Sequence, residues 1–405
     1  MAEYTLPIRV RTGNATESNG SGKKNQDKGE VWRSPLVEGE KQVTVLLVCD
    51  GHGTLGEEAS GSVVIEITTD LKTNYQQLYY HPVTYIGHLT RTAHSAIEAE
   101  FERYLVDQRI EFRKVQTPRG NFFVQKRQDK WEIVEGGTTF SLAVIVGTTL
   151  YMANLGDSSG TICTPLDQKV LSTSMVHKLA GPEDDDEKTD EPVSIVVVTS
   201  EHKVESPKLY KRLLENCPSR TDPSKPSLKQ VYDACPLKPQ KSAISFDADG
   251  NPITVPHGNY YSTVRNDWAA LVRTESDPEY VDCYGRTYIG GLAMPEALGN
   301  FYLQTQGLSM DVNVNVVELA PILEMLANKI ICIVLASDGV WDNWKYEDIA
   351  KFVMDPSCIG ALSEPDGVQR ITNSFMQRNM IYAKRNFGHR HDDSTACIAF
   401  VEFSI

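Results

Sequence analysis

Seven short apolar runs rich in Val, Ile and Thr set the limits on what this chain can fold into. They cover residues 43–49, 138–146, 149–155, 195–199, 312–319, 330–336 and 395–403. Their length and β-branched content favour strands over helices. Some follow one another with no room for a helix, as in TTFSLAVIVGTTLYMANLG, where Gly147 marks the turn of a hairpin. Antiparallel sheet is expected, not a βαβ repeat. Helical spacing of apolar residues recurs over 57–75 and 85–105 and, less regularly, over 366–384. Strand clusters with helices outside them make an α+β architecture.

Two segments break this pattern. Residues 181–191, GPEDDDEKTDE, read as an acidic, solvated loop. Residues 206–290 hold many Pro, Lys, Asp and Tyr residues with little periodicity. That is too long for a connector, so an insert elaborating a single domain over 1–405 is expected. No internal repeat is present.

Composition narrows the function. Hydrophobic residues make up 40% of the 405, enough for a sizeable core, and charged residues 23%. The formal net charge is −14, which argues against a nucleic-acid binder and against an anionic-membrane binder. A chain this acidic attracts phosphate only through local cations. No apolar run approaches the length of a membrane span. The opening MAEYTLPIRVRTGN has no apolar signal-peptide region, and Ala2 stands where N-myristoylation needs glycine. An intracellular protein is expected, cytoplasmic with the nucleus as an alternative, and monomeric. Eight cysteines without a CxxC pair fit free thiols, including Cys217 and Cys235.

The carboxylates carry the chemistry. TVLLVCDG delivers Asp50 to the tip of one apolar strand, followed by Gly51, His52 and Gly53. IICIVLASDG delivers Asp338 to the tip of another, followed by Gly339, Trp341 and Asp342. Asp392 and Asp393 precede the last strand, and Asp27 lies in KKNQDK near the start. Taken singly, Asp-Gly is a common turn after a strand. Two buried strands with the same ending, and further acidic sites outside them, weaken that reading. Converging carboxylates repel and raise one another's pKa unless a cation joins them. Hard divalent ions take oxygen ligands, so Mg²⁺ or Mn²⁺ is the natural guest. Gly51 and Gly53 leave room for the backbone to approach an ion.

VCDGHG, GGTTFSLAVIV, ANLGDSSG, LASDGVWD and HDDSTACIAFVEF occur in the order seen in the metal-dependent type 2C (PPM) serine/threonine protein phosphatases. The chain resembles that family over most of its length outside 181–191 and 206–290. The resemblance implies a sandwich of two antiparallel β-sheets flanked by α-helices, with two metal ions in a cleft at one end. It implies that Asp50 bridges the ions, that Gly51 offers its carbonyl, that Asp338 and Asp392 ligate one ion, and that Asp27 supports the site. Asp157 and Asp342 would serve a weaker third position. Hydroxide shared by the two ions would attack phosphorus, and His52 would protonate the leaving Ser or Thr oxygen. Phosphorylated proteins are the implied substrates.

This chain departs from the family at several positions. Gly22 stands where an arginine usually meets substrate phosphate. Lys23 or Lys24 is the expected substitute, with Arg11 or Arg33 in play if the loop is shifted in register. Ser159 replaces the arginine of GDSR, EALGN (Glu296–Asn300) replaces RALGD, and Asp393 replaces an asparagine. The rival reading is a non-catalytic pseudophosphatase that binds partners, and a third is a small-molecule phosphohydrolase. DADGN at 247–251 fails as an EF-hand loop and NGSGKK near 20 fails as a P-loop.

Overall fold

Valine and isoleucine alternate their faces along each strand with period two, so every core strand here supplies side chains to two layers. In Val43–Cys49, which is buried throughout, Val43, Val45, Leu47 and Cys49 join one core while Leu46 and Val48 join another. In Ile330–Ala336, Ile331, Ile333 and Leu335 share the core of Leu46 and Val48. Cys332, Val334 and Ala336 face a third core. Only stacked sheets with helices on both outer faces satisfy this pattern.

The computed structural model shows that stack. It describes residues 8–20, 24–37, 40–181, 188–199, 204–234, 241–255, 268–274, 279–287 and 291–403. One sheet orders the strands His177–Ala180, Asn313–Glu318, Thr149–Leu155, Phe140–Val146, Val43–Cys49 and Lys28–Arg33. The other orders Ile8–Glu17, Ser394–Phe403, Ile330–Ala336, Ser159–Cys163 and Ile195–Val197. All pairings in both are antiparallel. Helices Gly56–Asn74 and Pro82–Asp107 cover the first sheet with Ala59, Val63, Ile67, Ile86, Leu89 and Ala93. Helices Tyr346–Val353 and Gly367–Phe387 cover the second with Ile349, Ile371 and Phe375. The α+β sandwich expected from the runs is the fold observed. None of the described helices is long and apolar enough to cross a membrane.

Three differences from the sequence reading have physical causes. The run 138–146 is cut at Thr139. Gly137–Thr138 leaves the large sheet to pair with Gly51–His52 and Leu298–Gly299, while Phe140–Val146 stays. The run 312–319 ends as a strand at Glu318, because Leu319–Met325 turns helical with Pro321 in its first turn, where its missing N–H costs nothing. The insert is more ordered than its composition implies. Helix Pro207–Asn216 carries Leu209 and Leu213 on one face, and Lys229–Ala234 pairs with Trp268–Arg273. Leu228, Tyr232 and Val272 join the core on the helix side of the six-stranded sheet. In the acidic loop, 188–191 are exposed and 182–187 fall outside the described residues.

Candidate metal centre

Asp50 stands where Val43–Cys49 leaves the large sheet for the small one. Its backbone makes that corner with Thr139. Asp50 N donates to Thr139 Oγ1 at 2.9 Å and Thr139 N donates to Asp50 O at 2.9 Å. Asp338 follows the adjacent sheet's Ile330–Ala336, and Asp157 follows Thr149–Leu155. Three strand ends therefore meet at one edge of the sandwich. Carboxylate oxygens of Asp50, Asp157 and Asp338 all lie within 4.8 Å of one another, and all three residues are half-buried. No ion pair to Asp27, Asp50 or Asp338 is formed among the described residues.

Glycine is required at two of these corners. A Cβ on Gly51 would lie 2.3 Å from Gly56 O and 2.6 Å from Gln26 O. One on Gly339 would lie 1.9 Å from Asp393 O, so only glycine lets the turn after Asp338 close against the segment 392–394.

The electrostatics follow from this crowding. Burial, then Asp27, Asp338 and Asp157, push Asp50 well above the carboxylate range. Burial, then Asp157, Asp392 and Asp342, do the same to Asp338. Asp27 is 2% exposed and accepts a hydrogen bond from Ser337 Oγ at 2.7 Å. Burial pushes its pKa up to about 7, against the opposing hydrogen bonds from Ser337 and Asp50. Asp342 and Asp392 are exposed and act on the trio through space. Oxygen-only donors, mutual repulsion and partial exposure make a donor set that fits a hard divalent cation.

The structure places the remaining candidates as follows. Asp157 lies in the tight group with Asp50 and Asp338. Asp393 is buried and clamps the N-terminal loop, accepting from Asn19 N at 2.8 Å and Gln26 N at 2.9 Å. Ser159 is buried opposite Ala336. Lys24 is exposed and tied to Glu57 at 2.8 Å, while Gly22 and Lys23 fall outside the described residues. Register removes Arg11 and Arg33. Lys28 pairs with Cys49, so Arg33, opposite Thr44, stands about 17 Å down its strand from the carboxylates. Arg11 is opposite Phe400 and bonded to Glu402, about 20 Å from the Ser394 end.

His52 Nε2 is 2.7 Å from Asn300 Oδ1. Burial lowers its pKa from the usual histidine value. His52 and Asn300 line a cavity of about 190 Å³ together with Glu135, Tyr284, Arg286 and Tyr302. Arg286 also pairs with the buried Asp282. Sequence reasoning missed Asn300 and Arg286. Asn300 was visible only as a departure from RALGD, and Arg286 sits inside the insert, where no periodic signal points to it.

The family model for protein phosphatase 2C matches residues 34–189, a stretch holding Asp50, Gly51, His52 and Asp157. The chain resembles protein phosphatase 2C in sequence and in fold. The serine-threonine phosphatase 2C of Toxoplasma gondii is 15% identical, with 98% of each chain covered and a TM-score of 0.55. That likeness supports the PP2C fold. The Staphylococcus aureus serine/threonine phosphatase Stp1 matches at 14% identity and TM-score 0.46, with 98% of each chain covered. The Mycobacterium tuberculosis phosphatase PstP/Ppp matches at 16% and 0.43, with 96% of this chain and 97% of that chain covered. No curated protein matches the chain.

Proposed function

We propose that this chain is a metal-dependent protein phosphatase that hydrolyses phosphoserine and phosphothreonine on proteins, with all of 1–405 forming one catalytic unit. The observation that carries this reading is the convergence of Asp50, Asp157 and Asp338 at the strand ends. These three would hold Mg²⁺ or Mn²⁺, with the Gly51 carbonyl and Asp392 as further oxygen ligands. Asp342 is the outermost candidate. Such ions supply Lewis acidity, a lowered pKa for water and neutralisation of phosphate charge.

The chain's own residues do the rest. Asp27, held by Ser337, sits behind Asp50 and fixes the back of the site. Asp393 holds the backbone at Asn19 and Gln26. His52 is the proton donor to the leaving Ser or Thr oxygen as the P–O bond breaks. Asn300 orients its ring and, being neutral, supports the imidazolium less than a carboxylate would. Lys24 serves phosphate only by letting go of Glu57. Arg286, on the cavity that His52 lines, is the better-placed cation.

The rival, a non-catalytic binding module, draws on the engaged Lys24 and the neutral Asn300. Turnover separates the two. Purified protein should release phosphate from a phosphothreonine peptide with Mn²⁺ or Mg²⁺, not with EDTA, and not after Asp50→Asn. Folded, metal-loaded protein that releases none would leave the binding module standing.

A further inference from the structure

A cavity of about 430 Å³ that the catalytic residues do not use is built where the insert meets the small hairpin Phe112–Thr117/Gly120–Arg127. Its volume is that of a ligand site. Phe122, Tyr280 and Tyr302 form its aromatic side, with Phe122 edge-on to Tyr302 at 5.0 Å and to Tyr280 at 5.5 Å. Two arginines from separate elements line it. Arg119 comes from the hairpin turn and Arg220 from the segment after helix Pro207–Asn216. Both are exposed, and neither forms an ion pair among the described residues. The Arg119 guanidinium lies against Cys217 Sγ. Elsewhere Arg103, Arg127, Arg212 and Arg286 each sit on a carboxylate. The carboxylate on this lining, Glu279, makes an interaction of its own.

Two arginines on one lining, neither ion-paired among the described residues, in a chain of net charge −14, mark a place where negative charge is received. Tyr302 lines both this cavity and the smaller one that contains His52, so the two are neighbours. We propose that this cavity is a docking subsite for an acidic segment of the phosphoprotein substrate, a few residues from the phosphoresidue. An Asp or Glu carboxylate is held by Arg119 and Arg220, and an apolar neighbour lies on the Phe122–Tyr280–Tyr302 side. The proposal rests on the phosphatase reading, and it assigns substrate preference to the insert.

The test compares Mn²⁺-loaded full chain with the double variant Arg119→Gln/Arg220→Gln. Both sites are exposed, and an unchanged Tm checks that the variant folds. The substrates are a phosphothreonine peptide flanked by Glu and apolar residues, the same peptide with Gln for Glu, and p-nitrophenyl phosphate. The variant should raise KM for the Glu peptide about tenfold at unchanged kcat and leave the other two substrates alone. An equal effect on all three, or none, overturns the proposal while leaving the phosphatase intact. If no substrate turns over, the phosphatase reading fails. Fluorescence anisotropy with the labelled, unphosphorylated Glu peptide then decides alone. Weaker binding to the variant supports the subsite and equal binding overturns it. Displacement of that peptide by inorganic phosphate at equal concentration would reassign the cavity to a free anion and also overturn the proposal.

Discussion

The two sides of the cleft are built by different means. The carboxylate side stands on strand ends whose positions are set by the ladders of two sheets, such as Ile330–Ala336 against Ser394–Phe403 over seven residue pairs. The cationic side comes from turns and short elements: Arg286 in the insert, Arg119 in a hairpin turn, Arg220 after a helix. Strand ends cannot move without breaking a ladder, so metal geometry belongs on them. Loops tolerate replacement, so substrate choice can belong there.

The harshest way to test this division is to remove one carboxylate from the rigid side. Asp338→Asn should cut phosphopeptide turnover by about 10³-fold or more, the scale of losing a main electrostatic contributor. The apo protein should not lose stability, because the substitution removes one charge from a repelling group. In the parent protein, Mn²⁺ at about 100 times its Kd should stabilise by about 2.7 kcal/mol, and by less at pH 6 than at pH 8, where protons no longer compete for Asp27 and its neighbours. Thermal melts with and without Mn²⁺ check both statements. A variant that keeps wild-type turnover would remove Asp338 from the centre.

Next in size is the joint between the two sides. Glu296 is fully buried, and its carboxylate pairs with Arg212 Nη2 at 2.7 Å from the insert helix Pro207–Asn216. Glu296 begins the segment that ends in Asn300, the partner of His52. Arg212→Leu takes this guanidinium partner away from a fully buried carboxylate, which costs about 3 kcal/mol. Urea melts should show this loss, and turnover should fall along with stability. Arg212→Leu/Glu296→Leu should recover part of the stability, since no buried carboxylate is then left without its guanidinium. If the single variant were as stable as the parent, the insert would not be anchored here.

How far each side could be read in the sequence follows the same division. Asp50 and Asp338 were visible because a short, β-branched apolar run favours a buried strand, and a strand has an end. Asp27 was visible as an acidic residue, but its place beside the site came only through the resemblance, since Lys28–Arg33 is half-buried and polar and gives no run. The strands of 112–133 were missed for that reason, their partly exposed faces mixing Lys, Arg and Gln with apolar residues. Arg11 and Arg33 show the reverse error. Chain position near a motif said nothing about where pairing would carry the side chain, and register sends Arg11 and Arg33 to the far ends of their strands. The helix in 206–290 shows only two buried leucines, too few for periodicity to stand out.

On the flexible side the expected effects are smaller. Arg286→Ala should raise KM for a phosphothreonine peptide about tenfold with a lesser change in kcat, as for loss of one charged contact to substrate. Arg286→Lys should restore part of it, lacking the planar fork. Because Arg286 also pairs with buried Asp282, the variant's melting temperature has to be measured beside its kinetics. A fall in kcat alone, at unchanged KM, would count against substrate contact.

The smallest effect at neutral pH concerns the support behind Asn300. His94, on helix Pro82–Asp107, packs against Phe301 with ring centroids 4.9 Å apart, and its Nδ1 accepts from Gly299 N at 3.3 Å. Burial lowers its pKa to about 4 against the pull of Glu98, from 6.5 in the unfolded chain. The folded state therefore binds fewer protons than the unfolded state between those values, and stability rises with pH across that window. The contribution is fully present above pH 6.5 and is lost as pH falls through 4. His94→Asn keeps an acceptor for the Gly299 amide and has no charge to gain. Its melting temperature should match the parent near pH 7.5 and exceed it at pH 5, with turnover at neutral pH changed less than about twofold. Parallel melting curves for both proteins from pH 7.5 to pH 4.5 would show that this histidine does not hold the loop. Convergence at high pH and divergence at low pH would show that protonation of His94, beside the segment carrying the His52 partner, costs the fold stability in acid.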